Sequence, residues 1–426
     1  MPRKTNFLLT LSGGQPVNSS ITRFLFLIAI FLFLSSNLAI FAQVDAVIGQ
    51  ITSGVNGVFV RDISGDSRFV VFESNGNLST LPGNKNNADG NFEIFLFDYA
   101  QRHIFQITNT KSVLANTANS PLTNSNIKVE IRNTRPVISN NGRWLAFSSN
   151  ATTNRPGQTP NTTNPGNFDG NSFTDTMGAN PLTQDANLEI WLYQIPAVPA
   201  VDLSSGIVPD FVDLSAGTFT QVTNTNPARL PTPGQTIEGV DIFPFISDDN
   251  RDASVDDTAL TIAFISNRDL VTGGNAEPND DNSEVFVRIR TAAAGVFSQV
   301  TRTPRGTITA PIFNSNPTIS GNGLRVAFIS NGNNPVNGAS GGSNTDGNEE
   351  VFYANLTATG APAATNPQVQ VTTTTRTNPG DITNVLSPGK RMSRDGRFIT
   401  FESVADLIGT SPNQAAFSTF IFDTTA

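Results

Sequence analysis

Four short clusters of oxygen-bearing side chains recur along the chain, each directly ahead of an apolar, aromatic run. They read Asp89-Gly-Asn91-Phe-Glu93, Asp185-Ala-Asn187-Leu-Glu189, Asp280-Asp-Asn282-Ser-Glu284 and Asp346-Gly-Asn348-Glu-Glu350. The runs that follow are Ile94–Phe97, Ile190–Tyr193, Val285–Val287 and Val351–Tyr353. Oxygen donors at alternate positions suit a hard cation such as Ca²⁺, which gathers carboxylates, carbonyls and water. The spacing is not that of an EF-hand loop. The same residue types also build turns, because Asp, Asn and Gly satisfy or relax local backbone. The clusters therefore read either as Ca²⁺ sites or as the turn that closes a loop against its strand. No other cofactor is implied.

The elements that must position these clusters repeat as well. An Ile/Met-Ser anchor, a turn and an apolar strand recur at Ile63, Ile138, Ile246, Ile319 and Met392, with spacings of 75, 108, 73 and 73 residues. The third copy, read from Ile246, carries an insert at Asp252–Ala259. Each of the first four units continues through a polar insert, the cluster, an aromatic strand and a short strand ending Gln-x-Thr, at Gln106, Gln221, Gln299 and Gln370. Short β-branched and aromatic runs bounded by Gly, Asn and Asp are strands. Helical periodicity is absent after residue 42, so the fold is all-β. Four strands per repeat is the pattern of a propeller blade. The predicted fold is a single β-propeller of five four-stranded blades. The fifth unit ends after its third strand, Phe417–Asp423, while Gln50-Ile51-Thr52 stands spare before the first anchor. That N-terminal strand is expected to complete the last blade and close the ring, which removes unpaired edges. In the fifth unit Ser418 takes the Glu position of the cluster.

The Ser-x-Asp-Gly-Arg turns followed by apolar-Ala-Phe-x-Ser, an aromatic strand and a final x-Thr strand resemble the TolB-type propeller repeat. The resemblance covers essentially everything after residue 48 and implies a propeller; six blades, the commoner number in that family, is the alternative to five. The family's Pro in the turn is missing from every copy, and Leu324 replaces Arg in the fourth. No room is expected for the separate domain that TolB carries, so TolB's envelope role is not implied.

Composition narrows the function. The chain has 426 residues, no Cys and a net charge of −9, which excludes disulfides, thiolate chemistry and the basic surface that nucleic acid requires. Residues 1–42 carry Arg3, Lys4 and Arg23, no acid, and the unbroken apolar stretch Phe24–Leu34. They read as a signal peptide cleaved near Ala42, with an uncleaved anchor as the rival. The propeller would then span residues 43–426 as a periplasmic or secreted monomer with no membrane span.

Strand direction alternates within a blade, so the long connections fall on one face. That face, rich in Asn, Thr, Asp and Gly, is the expected binding surface for a protein, peptide or glycan. Around the axis, Arg61 and Asp62 of the first blade, Asp241 of the third and Lys390 and Arg391 of the fifth form a weaker candidate ligand site. His103, the single His, sits in a tight connection and reads as a surface residue. Trp144 and Trp191 align with Phe in other copies and read as core. A non-enzymatic binding or scaffold module is the favoured function. One alternative is a glycan-active enzyme working with two carboxylates, Asp62 and Asp241, which must lie within about 5–9 Å of each other. The other is a purely structural module of the cell envelope.

Overall fold

The structure, a computed structural model, describes residues 50–53, 57–81, 87, 90–110, 113–115, 127–129, 131–151, 188–225, 236–237, 240–241, 250–275, 282–293, 295–307, 309–376, 378, 380–409 and 416–426. The signal-peptide reading of residues 1–42 lies outside them, as do Asp89, Asp185, Asn187 and Asp280. The chain divides into two units, Met1–Ser53 and Gly54–Ala426. In the first, Gln50–Thr52 carries no strand. All the strands among the described residues lie in the second.

Four sheets of that second unit are four-stranded, antiparallel and ordered as in the sequence. The first holds β1 (Val58–Ile63), β2 (Phe69–Ser74), β3 (Glu93–Asp98) and β4 (His103–Gln106). A small hairpin follows, β5 (Val113–Ala115) and β6 (Ile127–Val129). The second sheet holds β7 (Asn133–Ile138), β8 (Trp144–Ser149), β9 (Glu189–Gln194) and β10 (Thr218–Gln221). Another hairpin, β11 (Thr236–Ile237) and β12 (Val240–Asp241), precedes the third sheet, β13 (Asn250–Val255), β14 (Thr261–Ser266), β15 (Glu284–Ile289) and β16 (Ser298–Gln299). The fourth holds β17 (Asn314–Ile319), β18 (Arg325–Ser330), β19 (Glu350–Asn355) and β20 (Gln368–Gln370). A fifth sheet has three strands among the described residues: β21 (Asn384–Val385), β22 (Phe398–Ser403) and β23 (Ser418–Asp423).

The third repeat is framed differently from its sequence reading. Its inner strand is β13, so the anchor is Val255-Asp256 and not Ile246-Ser247. Asp252–Ala259 is the strand and its turn, with no insert. Elsewhere the anchor Ser hydroxyl accepts from the amide five residues on, as in Trp144 N to Ser139 Oγ (3.0 Å) and Arg325 N to Ser320 Oγ (3.0 Å). In the third repeat the Asp256 carboxylate accepts from Thr261 N (2.8 Å) and does the same work.

Alternating side chains of each strand face opposite neighbours, as a pleated strand requires, and so the core lies between sheets. Val71, Ile94 and Leu96 of the first sheet pack with Ile138, Leu145 and Phe147 of the second. Ala146, Ile190 and Leu192 face Val255, Ile262 and Phe264 of the third. The third meets the fourth through Ile265, Val285, Val326 and Phe328, and the fourth meets the fifth through Ile329, Val351, Ile399 and Phe401. Trp191 is buried where Phe95, Phe286 and Phe352 stand in other sheets, as expected of core, and Trp144 is half-buried.

Candidate functional site

The clusters sit where one sheet meets the next. Glu93 is fully buried and holds both neighbours. Its Oε1 accepts from Thr110 N (2.6 Å), Thr110 Oγ1 (2.8 Å) and Asn91 Nδ2 (3.0 Å). Its Oε2 accepts from Nδ2 of Asn133, the first residue of β7 in the second sheet (3.0 Å). The arrangement repeats. Glu189 accepts from Thr225 N (2.7 Å), Thr225 Oγ1 (2.7 Å) and Asn250 Nδ2 (3.1 Å). Glu284 takes Thr303 N (2.6 Å), Thr303 Oγ1 (2.6 Å) and Asn314 Nδ2 (2.9 Å). Glu350 takes Thr374 N (2.6 Å), Thr374 Oγ1 (2.8 Å), Asn348 Nδ2 (3.1 Å) and Asn384 Nδ2 (3.1 Å). Each cluster Glu is thus the middle of a Glu–Thr–Asn lock. The Thr follows the outermost strand of its own sheet, and the Asn opens the innermost strand of the next.

Burial dominates the electrostatics of these locks. It pushes Glu93 and Glu284 up to about 7 against the pull of their Thr and Asn donors, and it raises Glu350 as well.

The cluster Asn residues are held by their amide nitrogens. Asn91 Nδ2 also donates to Thr110 Oγ1 (2.9 Å), and Asn348 Nδ2 to Thr374 Oγ1 (2.8 Å). Their carbonyl oxygens differ: Oδ1 of Asn91, Asn282 and Asn348 is buried with no protein donor. So is Oδ1 of a second Asn in the loop ahead of each, Asn87, Asn275 and Asn344. Asp346 is exposed, and its backbone carbonyl accepts from Arg376 Nη2 (3.1 Å). No group of three or more His, Asp or Glu side chains is close enough to hold a metal among the described residues.

Around the axis, the inner strands of the first four sheets and the segment after β21 (Pro388, Gly389 and Arg391) line one cavity of about 340 Å³. Arg61 and Arg391 line it. Asp62 and Lys390 pair just beside it, with Nζ to Oδ2 at 3.4 Å, and Lys390 also donates to Ile63 O (3.2 Å). Asp62 Oδ2 accepts from Ile138 N of the second sheet (2.9 Å). Burial raises the Asp62 carboxyl, against the lowering effect of Lys390. Asp241 is not on an inner strand; it ends the hairpin strand β12. Asp252 is the carboxylate that the third sheet brings to the cavity. His103 is half-buried, with its Nδ1 3.2 Å from Thr80 Oγ1.

The lock Asn and Thr residues were not anticipated from the sequence, yet a signal exists. Each Gln-x-Thr is in fact Gln-x-Thr-x-Thr, and Asn133, Asn250, Asn314 and Asn384 each stand five or more residues ahead of their anchor.

Sheets that follow one another in chain order, meet face to face and converge on one axial cavity define the architecture. The fold is a β-propeller. No protein-family model and no curated protein matches the chain. Among solved structures it is similar to TolB from Acinetobacter baumannii, with 12% identity over 84% of this chain and 51% of that one and a TM-score of 0.36. It is similar to a putative TolB from Agrobacterium tumefaciens, with 11% identity over 88% and 79% and a TM-score of 0.39. It is also similar to the propeller domain of the Trilobed protease from Pyrococcus furiosus, with 9% identity over 88% and 70% and a TM-score of 0.36. The propeller spans about half the length of the Acinetobacter TolB.

Proposed function

We propose that this propeller is an exported, non-enzymatic binding or scaffold module that takes a protein, peptide or glycan on its long-loop face. The observation that carries the reading is a cleft of about 860 Å³ between the loops of the fourth and fifth sheets. Its walls are the threonines of 372–375 and Thr383, with Asp381 and Asp406. Hydroxyls and carboxylates on a rigid scaffold suit a polyhydroxylated or amide-rich ligand. The inner-strand carboxylates support a non-enzymatic role: Asp62 is held by Lys390 and Ile138, and Asp252 by Arg135 and Arg251. The test is an array of glycans and peptides probed with the full chain and with an Asp381→Ala, Asp406→Ala variant. Binding by the wild type that the variant loses supports the cleft. Release of shortened glycan makes the protein an enzyme, and a blank array with both proteins leaves a structural module.

Ca²⁺ is our second reading, favoured by the paired buried Oδ1 atoms that lack protein donors. Amide oxygens are acceptable Ca²⁺ ligands, and Asp346 would add charge at the fourth cluster. Thermal unfolding with millimolar Ca²⁺ is expected to run several degrees above unfolding with chelator, and Asp346→Ala to reduce the difference. Equal melting temperatures would assign those oxygens to ordered water.

A further inference from the structure

The axial cavity has a charge pattern at odds with the rest of the chain. The protein carries a net −9, yet the charged side chains lining the cavity are Arg61, Arg135, Arg391 and a single carboxylate, Asp252. Two of the arginines are committed. Arg61 Nη2 pairs with Glu73 Oε1 at 2.5 Å, and Arg135 Nη1 pairs with Asp252. Arg391 is different. Its backbone is fixed, with N donating to Thr318 Oγ1 (3.1 Å), but its guanidinium has no ion pair among the described residues, and its Nε is buried without a hydrogen-bond partner. Arg391 is half-buried, so that Nε is desolvated while the rest of the guanidinium still meets the cavity, and a buried donor left unmade is costly. An anion supplied from solution would satisfy it.

The backbone around the cavity is built to aim these groups. Each of β1, β7, β13 and β17 breaks register against its partner strand in its middle, at Val60/Asp62, Thr134/Val137, Arg251/Ser254 and Ser315/Thr318. Bulges of this kind re-aim side chains and concentrate next to sites. At three of them a residue other than Gly adopts a left-handed conformation: Arg135 (φ 55°), Asp252 (φ 58°) and Asn316 (φ 51°). All three line the cavity. Such residues are strained and gather where a ligand is held. One strained residue could be an accident of sequence; the same position strained in three neighbouring sheets is a shared device.

The rest of the wall sets the ligand class. Val60, Val137 and Ala253 face the cavity together with Pro136, Pro317 and Pro388. A planar guanidinium fork matches a carboxylate with two parallel hydrogen bonds. We propose that the axial cavity is a binding site for a small organic monocarboxylate, its carboxylate on Arg391 with further donors from Arg61 and Arg135, and its apolar body against the valines and prolines. This site lies on the propeller axis, apart from the long-loop cleft, and its test is independent of that cleft.

Calorimetric titration of the full chain with benzoate, butyrate and inorganic phosphate decides it. Benzoate or butyrate is expected to bind and phosphate to bind more weakly. Arg391→Gln should weaken the carboxylate on the order of tenfold to a hundredfold, the range for a hydrogen bond to a charged group. Arg391→Lys should recover part of that loss, and Arg376→Gln on the surface should change nothing. Val60 is largely exposed (66%), so Val60→Glu is expected to fold; its carboxylate beside the arginines should abolish binding even where Arg391→Gln proves unstable. No heat with either carboxylate overturns the proposal. So does binding that survives both Arg391→Gln and Val60→Glu, and so does phosphate binding as tightly as benzoate.

Discussion

At the residue scale, a buried carboxylate that accepts three or four protein hydrogen bonds is a fastener before it is anything else. Removing it from Glu93 would strand the amide of Thr110 without an acceptor and leave the Asn133 amide only Phe92 O and Thr110 Oγ1. A buried donor left without its acceptor costs about 1–3 kcal/mol, so Glu93→Ala should lower the urea midpoint clearly. Glu93→Gln keeps one acceptor oxygen and should cost less. The same residues set a pH dependence whose sign follows from burial. Glu93 and Glu284 titrate near 7 in the folded protein and near 4.5 when unfolded. Between those values the folded state holds protons that the unfolded state has released. Stability is therefore fully present below the unfolded value and is lost as pH rises through about 7. Urea unfolding at pH 5 and pH 8 should show the higher midpoint at pH 5, and the Glu93→Gln, Glu284→Gln double variant should flatten the difference. A midpoint that instead rises toward pH 8 would mean the Thr and Asn donors outweigh burial. The cluster itself was legible in the sequence as four copies of one pattern. Its role was not, because Thr110 and Asn133 stand 17 and 40 residues away from Glu93 and only the packing of sheets brings them to it.

At the scale of elements, the strands and their order were legible because apolar alternation and turn residues are local signals. Three of the four four-stranded repeats were framed correctly for that reason. The third was not: an Ile-Ser pair at Ile246 imitates the anchor, while the true anchor, Val255-Asp256, uses a carboxylate where the others use a hydroxyl. Both groups accept from the same backbone position, so chemistry is preserved while the letters change. The displaced frame also put Asp241 on the axis in place of Asp252. The bulges that line the cavity leave no mark in composition, since Arg135, Asp252 and Asn316 share neither size nor charge. The closing sheet resolves one oddity of the repeat. Ser418 pairs with Ser403 as Glu350 pairs with Ser330, so Ser418 does occupy the Glu position. The lock Asn of the first sheet is absent as well: Val58 pairs with Ser74 where Asn133 pairs with Ser149. A Glu in the fifth sheet would have had no Asn to receive in the first, so both halves of the device are missing together.

For the whole molecule, this makes the propeller a series of four fastened interfaces and a seam. Locks join the first sheet to the second, the second to the third, the third to the fourth and the fourth to the fifth. Between the fifth and the first, the described contacts are of another kind: Lys390 reaches Asp62 and the carbonyl of Ile63 from a partly exposed position. A partly exposed ion pair contributes little, about 0–1 kcal/mol. The apolar residues Phe72, Phe95 and Ile104 of the first sheet form a cluster confined to that sheet, whereas every other core cluster bridges two sheets. Arrays in which each unit is stabilised by its neighbours open first at the unit with the weakest interface. Amide hydrogen exchange on the native protein should therefore be slowest in β8, β14 and β18, the second strands of sheets fastened on both sides. It should be distinctly faster in β22 and β23 and at the start of β1. Glu189→Gln should raise exchange in the second and third sheets toward that of the seam while leaving the seam itself unchanged. Uniform protection around the axis would show that the fifth and first sheets are held together as strongly as the rest, by a fastening other than the Glu–Thr–Asn lock.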